Sequence, residues 1–97
     1  MIRRDGRRMV VGGAVTLANV TRVLEDGRAH LKEGVRTVDL SEVTDIDSSL
    51  LAAMLAWLRD ARQAGHELFF VNIPESLATI ARLYGVDELL PVQPAQS

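Results

Sequence analysis

The sequence predicts an α/β domain, a small mixed β-sheet with helices packed on it, and three observations lead there. At the front of the chain, Asp5-Gly6 separates two β-prone segments, a hairpin signal because both residues tolerate positive φ. Three segments with apolar residues at helical spacing follow, each closed by a glycine at Gly34, Gly65 or Gly85. Between them lie two short β-prone segments, 37–40 and 68–71. The resulting order β-β-α-β-α-β-α needs one sheet with its helices laid on it.

Taken in order, Ile2-Arg3-Arg4 and Arg8-Met9-Val10-Val11 form the arms of the hairpin. After Gly12-Gly13 and Ala14-Val15-Thr16, the residues Val20, Val23, Leu24 and Leu31 recur at helical spacing, while Arg22, Glu25, Asp26 and Lys32 face elsewhere. Thr16 is expected to cap this helix and Gly34 to end it. Thr37-Val38-Asp39-Leu40 reads as a strand, and 41–46 as a connecting loop. A strongly helix-forming segment runs from Ser48 to Ala64, with Asp47 and Ser48 as competing caps. Leu68-Phe69-Phe70-Val71 is a continuous apolar strand, and right-handed crossover between it and Leu40 makes the two strands parallel. Pro74 opens a last helix whose Leu77, Ile80, Ala81 and Tyr84 line one side. One domain over 1–90 is expected, with Pro91 to Ser97 fraying as a tail.

Composition excludes several function classes. A hydrophobic share of 47% with 25% charged residues is that of an ordinary globular domain. The formal net charge is -2, so no excess of positive charge can hold a nucleic-acid backbone. Arg3, Arg4, Arg7 and Arg8 do cluster around the first turn, and they read as a solvated hairpin rather than a membrane or nucleic-acid patch. With no cysteine, disulfides, iron–sulfur clusters and thiolate zinc sites are out, and a reducing cytoplasm is the expected compartment. No signal-peptide pattern follows Met1, and the longest apolar run, Leu50 to Leu58, is far too short to span a bilayer as a helix. Membrane association is therefore expected only through a partner.

Enzyme signatures are absent too. No phosphate-cradling glycine loop, His-Glu-x-x-His or Gly-x-Ser-x-Gly pattern occurs. His30 and His66 lie near helix ends, where imidazole commonly meets the helix dipole. Asp39, Asp45 and Asp47 are closely spaced, yet they fall in a strand, a turn and a cap, which favours structural roles over paired catalysis or magnesium binding. Neither a catalytic residue nor a cofactor or metal is expected. A small-molecule site has little support, since aromatics are only 4% and no convergent polar set is visible.

What stands out is the stretch Val38 to Ser49, joining the third strand to the strongest helix. A helix start carries unpaired N–H groups and about half a positive charge, so the hydroxyls of Ser48 and Ser49 sit where a phosphate would be held. At 100° per residue the apolar arc of this helix is about 160° wide, with Met54, Leu58 and Leu51 central and Leu50 and Trp57 at one edge. That edge can be a protein-binding patch, or it can be covered by a neighbouring helix.

The stretch Val38-Asp39-Leu40-Ser41-Glu42-Val43-Thr44-Asp45-Ile46-Asp47-Ser48-Ser49 resembles the signature of STAS domains, the family of bacterial anti-sigma factor antagonists and of domains in sulfate transporters. The likeness extends over almost the whole chain. It implies the STAS fold, with helices largely on one face of the sheet, and no catalysis by the domain itself. Two branches are implied. In phosphorylatable antagonists a partner kinase modifies the second Ser of Asp-Ser-Ser-Gly, here Ser49; Leu50 stands in place of that Gly, with a side chain that could obstruct a kinase. The other branch is the MlaB-like STAS subunit of the Mla phospholipid ABC transporter, which sits on the cytoplasmic ATPase subunit. The stretch Asn72 to Val86, with its Ala81-Arg82-Leu83-Tyr84, resembles that branch, in which the hydroxyl residue corresponding to Ser48 lies at the ATPase contact. With the apolar edge of this helix added, the expected partner-binding surface is Asp47, Ser48, Ser49, Leu50 and Trp57, and the chain alone is expected to be a monomer or weak dimer.

Overall fold

The computed structural model describes residues 1–92. The elements are β1 (Ile2–Asp5), β2 (Arg8–Val15), α1 (Val20–Lys32), β3 (Thr37–Ile46), α2 (Ser48–Gln63), β4 (Phe69–Val71), α3 (Glu75–Leu83) and a 3-10 turn (Asp87–Leu89). The sheet order is β1-β2-β3-β4, with β1 antiparallel to β2 and the other two pairings parallel. Each parallel step is bridged by a helix, as expected from the sequence order.

The hairpin turns one residue later than expected. Asp5 pairs with Arg8, so the two loop residues are Gly6 and Arg7, with Gly6 at φ 65. A glycine at the first central position suits a primed turn. Its arginines are mostly spoken for: both guanidinium nitrogens of Arg3 donate to Glu42, at 2.7 and 2.9 Å, and Arg4 reaches Glu33 at 2.8 Å and Arg8 reaches Asp39 at 3.2 Å. The basic cluster is a solvated hairpin laced to neighbouring acids.

Both long strands outrun the sequence reading. β2 continues through Gly12-Gly13 to Val15, and β3 takes in the whole of 41–46 that reads as a loop. Each supplies the other's hydrogen bonds, pairing Gly12 with Glu42, Gly13 with Val43 and Val15 with Ile46 across two irregularities in register. Polar residues such as Ser41, Glu42 and Asp45 remain exposed along this extension, so it lacks the apolar pattern of a strand.

One face of the sheet builds the core. Met9, Val11, Val15, Val38, Leu40 and Phe70 pack with Val23 of α1, with Leu51, Met54, Trp57 and Leu58 of α2, and with Leu77 and Ala81 of α3. Side chains alternate along a strand, so Val10 and Asp39, opposite each other in register, belong to the other face. The helices thus lie largely on one side.

Helix ends differ in detail. Thr16 does not cap α1; the helix starts at Val20, because Thr16 and Asn19 spend their side chains on the preceding turn. Asn19 Oδ1 accepts from Thr16 N–H at 3.0 Å and Thr16 Oγ1 from Ala18 N–H at 3.3 Å. Gly34 at φ 107 ends the helix as anticipated. Pro74 occupies the N-cap position of α3 rather than its first turn, and Tyr84, expected on the buried side, is 63% exposed because it falls just past the last helical residue. At the end of the described chain Phe70 N–H donates to Pro91 C=O at 2.9 Å and Phe70 bridges to Val92, while 93–97, the rest of the segment expected to fray, lie outside the described residues.

Asp39 is the buried carboxylate of the open face, 6% exposed. Burial pushes its pKa up, but hydrogen bonds from the Asn72 amide and Ser41 and the charge of Arg8 prevail and hold it below its ordinary value. A depressed folded-state pKa contributes stability that is complete above the unfolded value of about 3.9 and lost as pH falls through the folded one. Asp39→Asn is therefore expected to flatten the acid limb of a stability–pH curve below about pH 4. An unchanged limb in urea titrations at several pH values would count against this cluster.

Candidate functional site at the start of α2

Because β2 and β3 run parallel with Val15 opposite Ile46, both strands leave the sheet at the same end. The β2–α1 turn and the start of α2 are thereby set side by side. Asp47 ties them together. One of its oxygens accepts from Ser49 N–H at 2.8 Å, capping α2, and the other from Leu17 N–H at 3.1 Å. These two N–H donors, Ser49's first, hold the Asp47 carboxyl below its ordinary pKa.

The competition between caps is thus decided for Asp47, whose backbone is extended while Ser48 is already helical. Ser48 is free of capping duty and exposed; Ser49 is half-buried. Asp47, Ser48 and Ser49 are brought together at one helix start.

Leu50 and Trp57 are not part of that surface. Both are 0% exposed. The wide apolar arc of α2 is covered at this edge by α1, where Gly27 lets the indole approach and Trp57 Nε1 donates to Leu24 C=O at 3.0 Å. The expected exposed patch is core. Inward burial of Leu50 also removes the obstruction expected at the position of the family's glycine.

The residue that sequence reading missed is Leu17, which is 80% exposed. Its spacing from Val20 and Leu24 matches the buried stripe of α1, so its pattern disguised it; only the late helix start leaves it outside. The three aspartates do not converge: Asp39 is held by Arg8 and Asn72, Asp45 is exposed, and Asp47 caps α2. Among the described residues no group of three His, Asp or Glu side chains is placed to hold a metal, and no helix is long and apolar enough to cross a membrane.

The family model described as "Mlab, STAS domain" matches residues 2–91. A chain of the Acinetobacter MlaFEDB complex in its ATP-bound Vtrans1 conformation is similar at TM-score 0.82 and 25% identity, covering 96% of this chain and 100% of that one. A putative anti-sigma factor antagonist from Thermotoga maritima shares the fold at TM-score 0.75 and 16% identity, covering 98% and 86%. The anti-sigma factor antagonist SpoIIAA in its unphosphorylated form does so at TM-score 0.71 and 12% identity, covering 96% and 86%. No curated protein matches the sequence.

Proposed function

Since the chain belongs to the STAS domain family, we propose that it is a non-enzymatic regulatory or scaffolding subunit that binds the cytoplasmic ATPase of an Mla-type phospholipid ABC transporter. The observation that carries this reading is the match, end to end on both chains, with a component of the MlaFEDB assembly. In its support, Ser48 stands exposed on a helix start fixed by Asp47, presenting a hydroxyl without a structural task. Engaging it in an interface breaks no hydrogen bond of the helix cap, which Asp47 supplies. The protein then works at the cytoplasmic side of the inner membrane through its partner, without cofactor or metal.

Ser48→Asp places a second carboxylate beside Asp47 on that surface without entering the core. We expect it to weaken binding to the ATPase subunit at least about tenfold, close to 1.4 kcal/mol, with an unchanged melting temperature. Ser49→Asp should do the same. Full affinity of both variants in a titration would take this helix start out of the interface.

A second reading is an anti-sigma factor antagonist switched by phosphorylation of Ser49. The buried Leu50 supports it, because the helix start is then open to a kinase despite the missing glycine. Incubation with the cognate anti-sigma kinase and ATP, followed by intact-mass measurement, separates the two. A phosphate on Ser49 together with no affinity for the ABC subunit would move the assignment to this branch.

A further inference from the structure

We infer that Leu17 is the apolar anchor of this domain's docking surface, and that Asp47 is the positioning residue that holds it ready for a slot on the ATPase subunit. The inference rests on the transporter reading and deepens it by naming the residue that fills a pocket in the partner.

An exposed leucine on a loose loop would mean little, since single surface apolar residues are common. Leu17 is not on a loose loop. Leu17 N–H is bonded to Asp47 Oδ2 at 3.1 Å, Thr16 N–H to Asn19 Oδ1 at 3.0 Å, and Ala18 N–H to Thr16 Oγ1 at 3.3 Å. Asn19 closes the turn, its backbone N–H donating to Thr16 C=O at 3.0 Å and its amide to Ala14 C=O at 2.8 Å. The backbone N–H of every residue in the turn 16–19 thus has a partner inside the domain. A side chain 80% exposed on so fixed a backbone gains burial on binding and loses little conformational freedom, which is what an anchor residue needs.

The surroundings define the slot that would receive it. Ala14 and Ala18, both exposed, and the exposed Ser48 across the Asp47 link are small, and among the described residues Leu17 stays 80% exposed. Asp45 is exposed and Asp47 half-exposed, and neither makes an ion pair among the described residues. The complementary surface is an apolar pocket whose rim offers a hydrogen-bond donor to the Asp47 carboxylate, which is tied to Leu17 through Oδ2.

Asp47 acts through Leu17 rather than by contact alone. Its two oxygens serve two N–H groups, one in the helix and one in the turn. Asn is as good an N-cap as Asp, so Asp47→Asn keeps an acceptor for Ser49 while its NH2 group has nothing to offer Leu17 N–H. The helix start survives and the turn is released.

The test is a binding titration against the purified Mla-type ATPase subunit, using the full chain and its variants Leu17→Ala, Asp47→Asn and, as a control, Leu83→Ala. Thermal melts and amide hydrogen exchange accompany it. Leu17→Ala is expected to weaken binding at least about tenfold at unchanged melting temperature, as loss of a buried leucine anchor does. Asp47→Asn should weaken binding and speed exchange of the Leu17 amide, while Phe70 in the core keeps its protection. Leu83→Ala, 79% exposed at the far end of α3, should bind normally. Wild-type affinity for Leu17→Ala, with the wild-type complex forming, would overturn the anchor and leave the transporter reading standing. Unchanged Leu17 exchange in Asp47→Asn would overturn the positioning role whatever the partner. Failure of the wild-type chain to bind the ATPase subunit at all would remove the transporter reading, and the named partner with it.

Discussion

Trp57→Ala is expected to destabilise the domain by about 3–5 kcal/mol, the cost of removing a large buried aromatic. The residue is the largest fully buried side chain, at 0% exposure, and it lies where α1 and α2 meet. Its loss leaves a cavity between two helices and deletes the bond from Nε1 to Leu24 C=O. Small domains have only about 5–15 kcal/mol in total, so this takes a large share. In a domain of this size each kcal/mol shifts the melting temperature by about 4–8 °C, placing the variant about 12 °C or more below the parent. Trp57→Glu adds an unpaired buried charge and should not fold. A folded Trp57→Glu that merely loses its partner would restore the exposed-edge reading and sink the present one.

Gly27→Ala is expected to destabilise by about 2 kcal/mol, against the usual direction of such a change in a helix. Ala is favoured over Gly by about 1 kcal/mol within helices. Here, however, a Cβ would sit 2.5 Å from Trp57 Cε2 and Cζ2, closer than atoms can approach. The indole cannot swing aside without giving up its bond to Leu24, so the overpacking penalty of about 1–3 kcal/mol falls at its upper end and outweighs the propensity gain. The two sites should be strongly coupled. In a Trp57→Leu background the crowding is relieved, and Gly27→Ala should become neutral or stabilising, a double-mutant-cycle coupling of about 2 kcal/mol. A higher melting temperature for Gly27→Ala alone would show that the helices part at little cost.

Much of the candidate site could be read from residue types. Asp, Ser and Ser at the head of a long apolar helix mark an N-cap region by local chemistry, and the structure puts all three there. Which of them caps was not legible, because Asp and Ser are nearly equal at that position and the choice depends on where β3 delivers the chain. Leu50 and Trp57 were ambiguous for a different reason. A wide apolar arc looks the same whether its edge meets a neighbouring helix or a partner protein, and α1 decides the matter through the space left by Gly27.

The sequence by itself determined the order and type of the elements, the hairpin, the parallel crossover from β3 to β4 and the glycine stops at Gly34, Gly65 and Gly85. All of these rest on interactions within one or two turns of the chain: apolar periodicity, capping groups and freedom of φ. Only the tertiary structure decided that β3 continues through Ser41 to Ile46, that Leu17 escapes burial, and that Asp47 serves two segments at once. Each of these depends on a partner distant in sequence, β2 for the strand and the 16–19 turn for the carboxylate. Residues with weak local preferences take the conformation that their neighbours in space can satisfy, and those neighbours exist only once the sheet has formed.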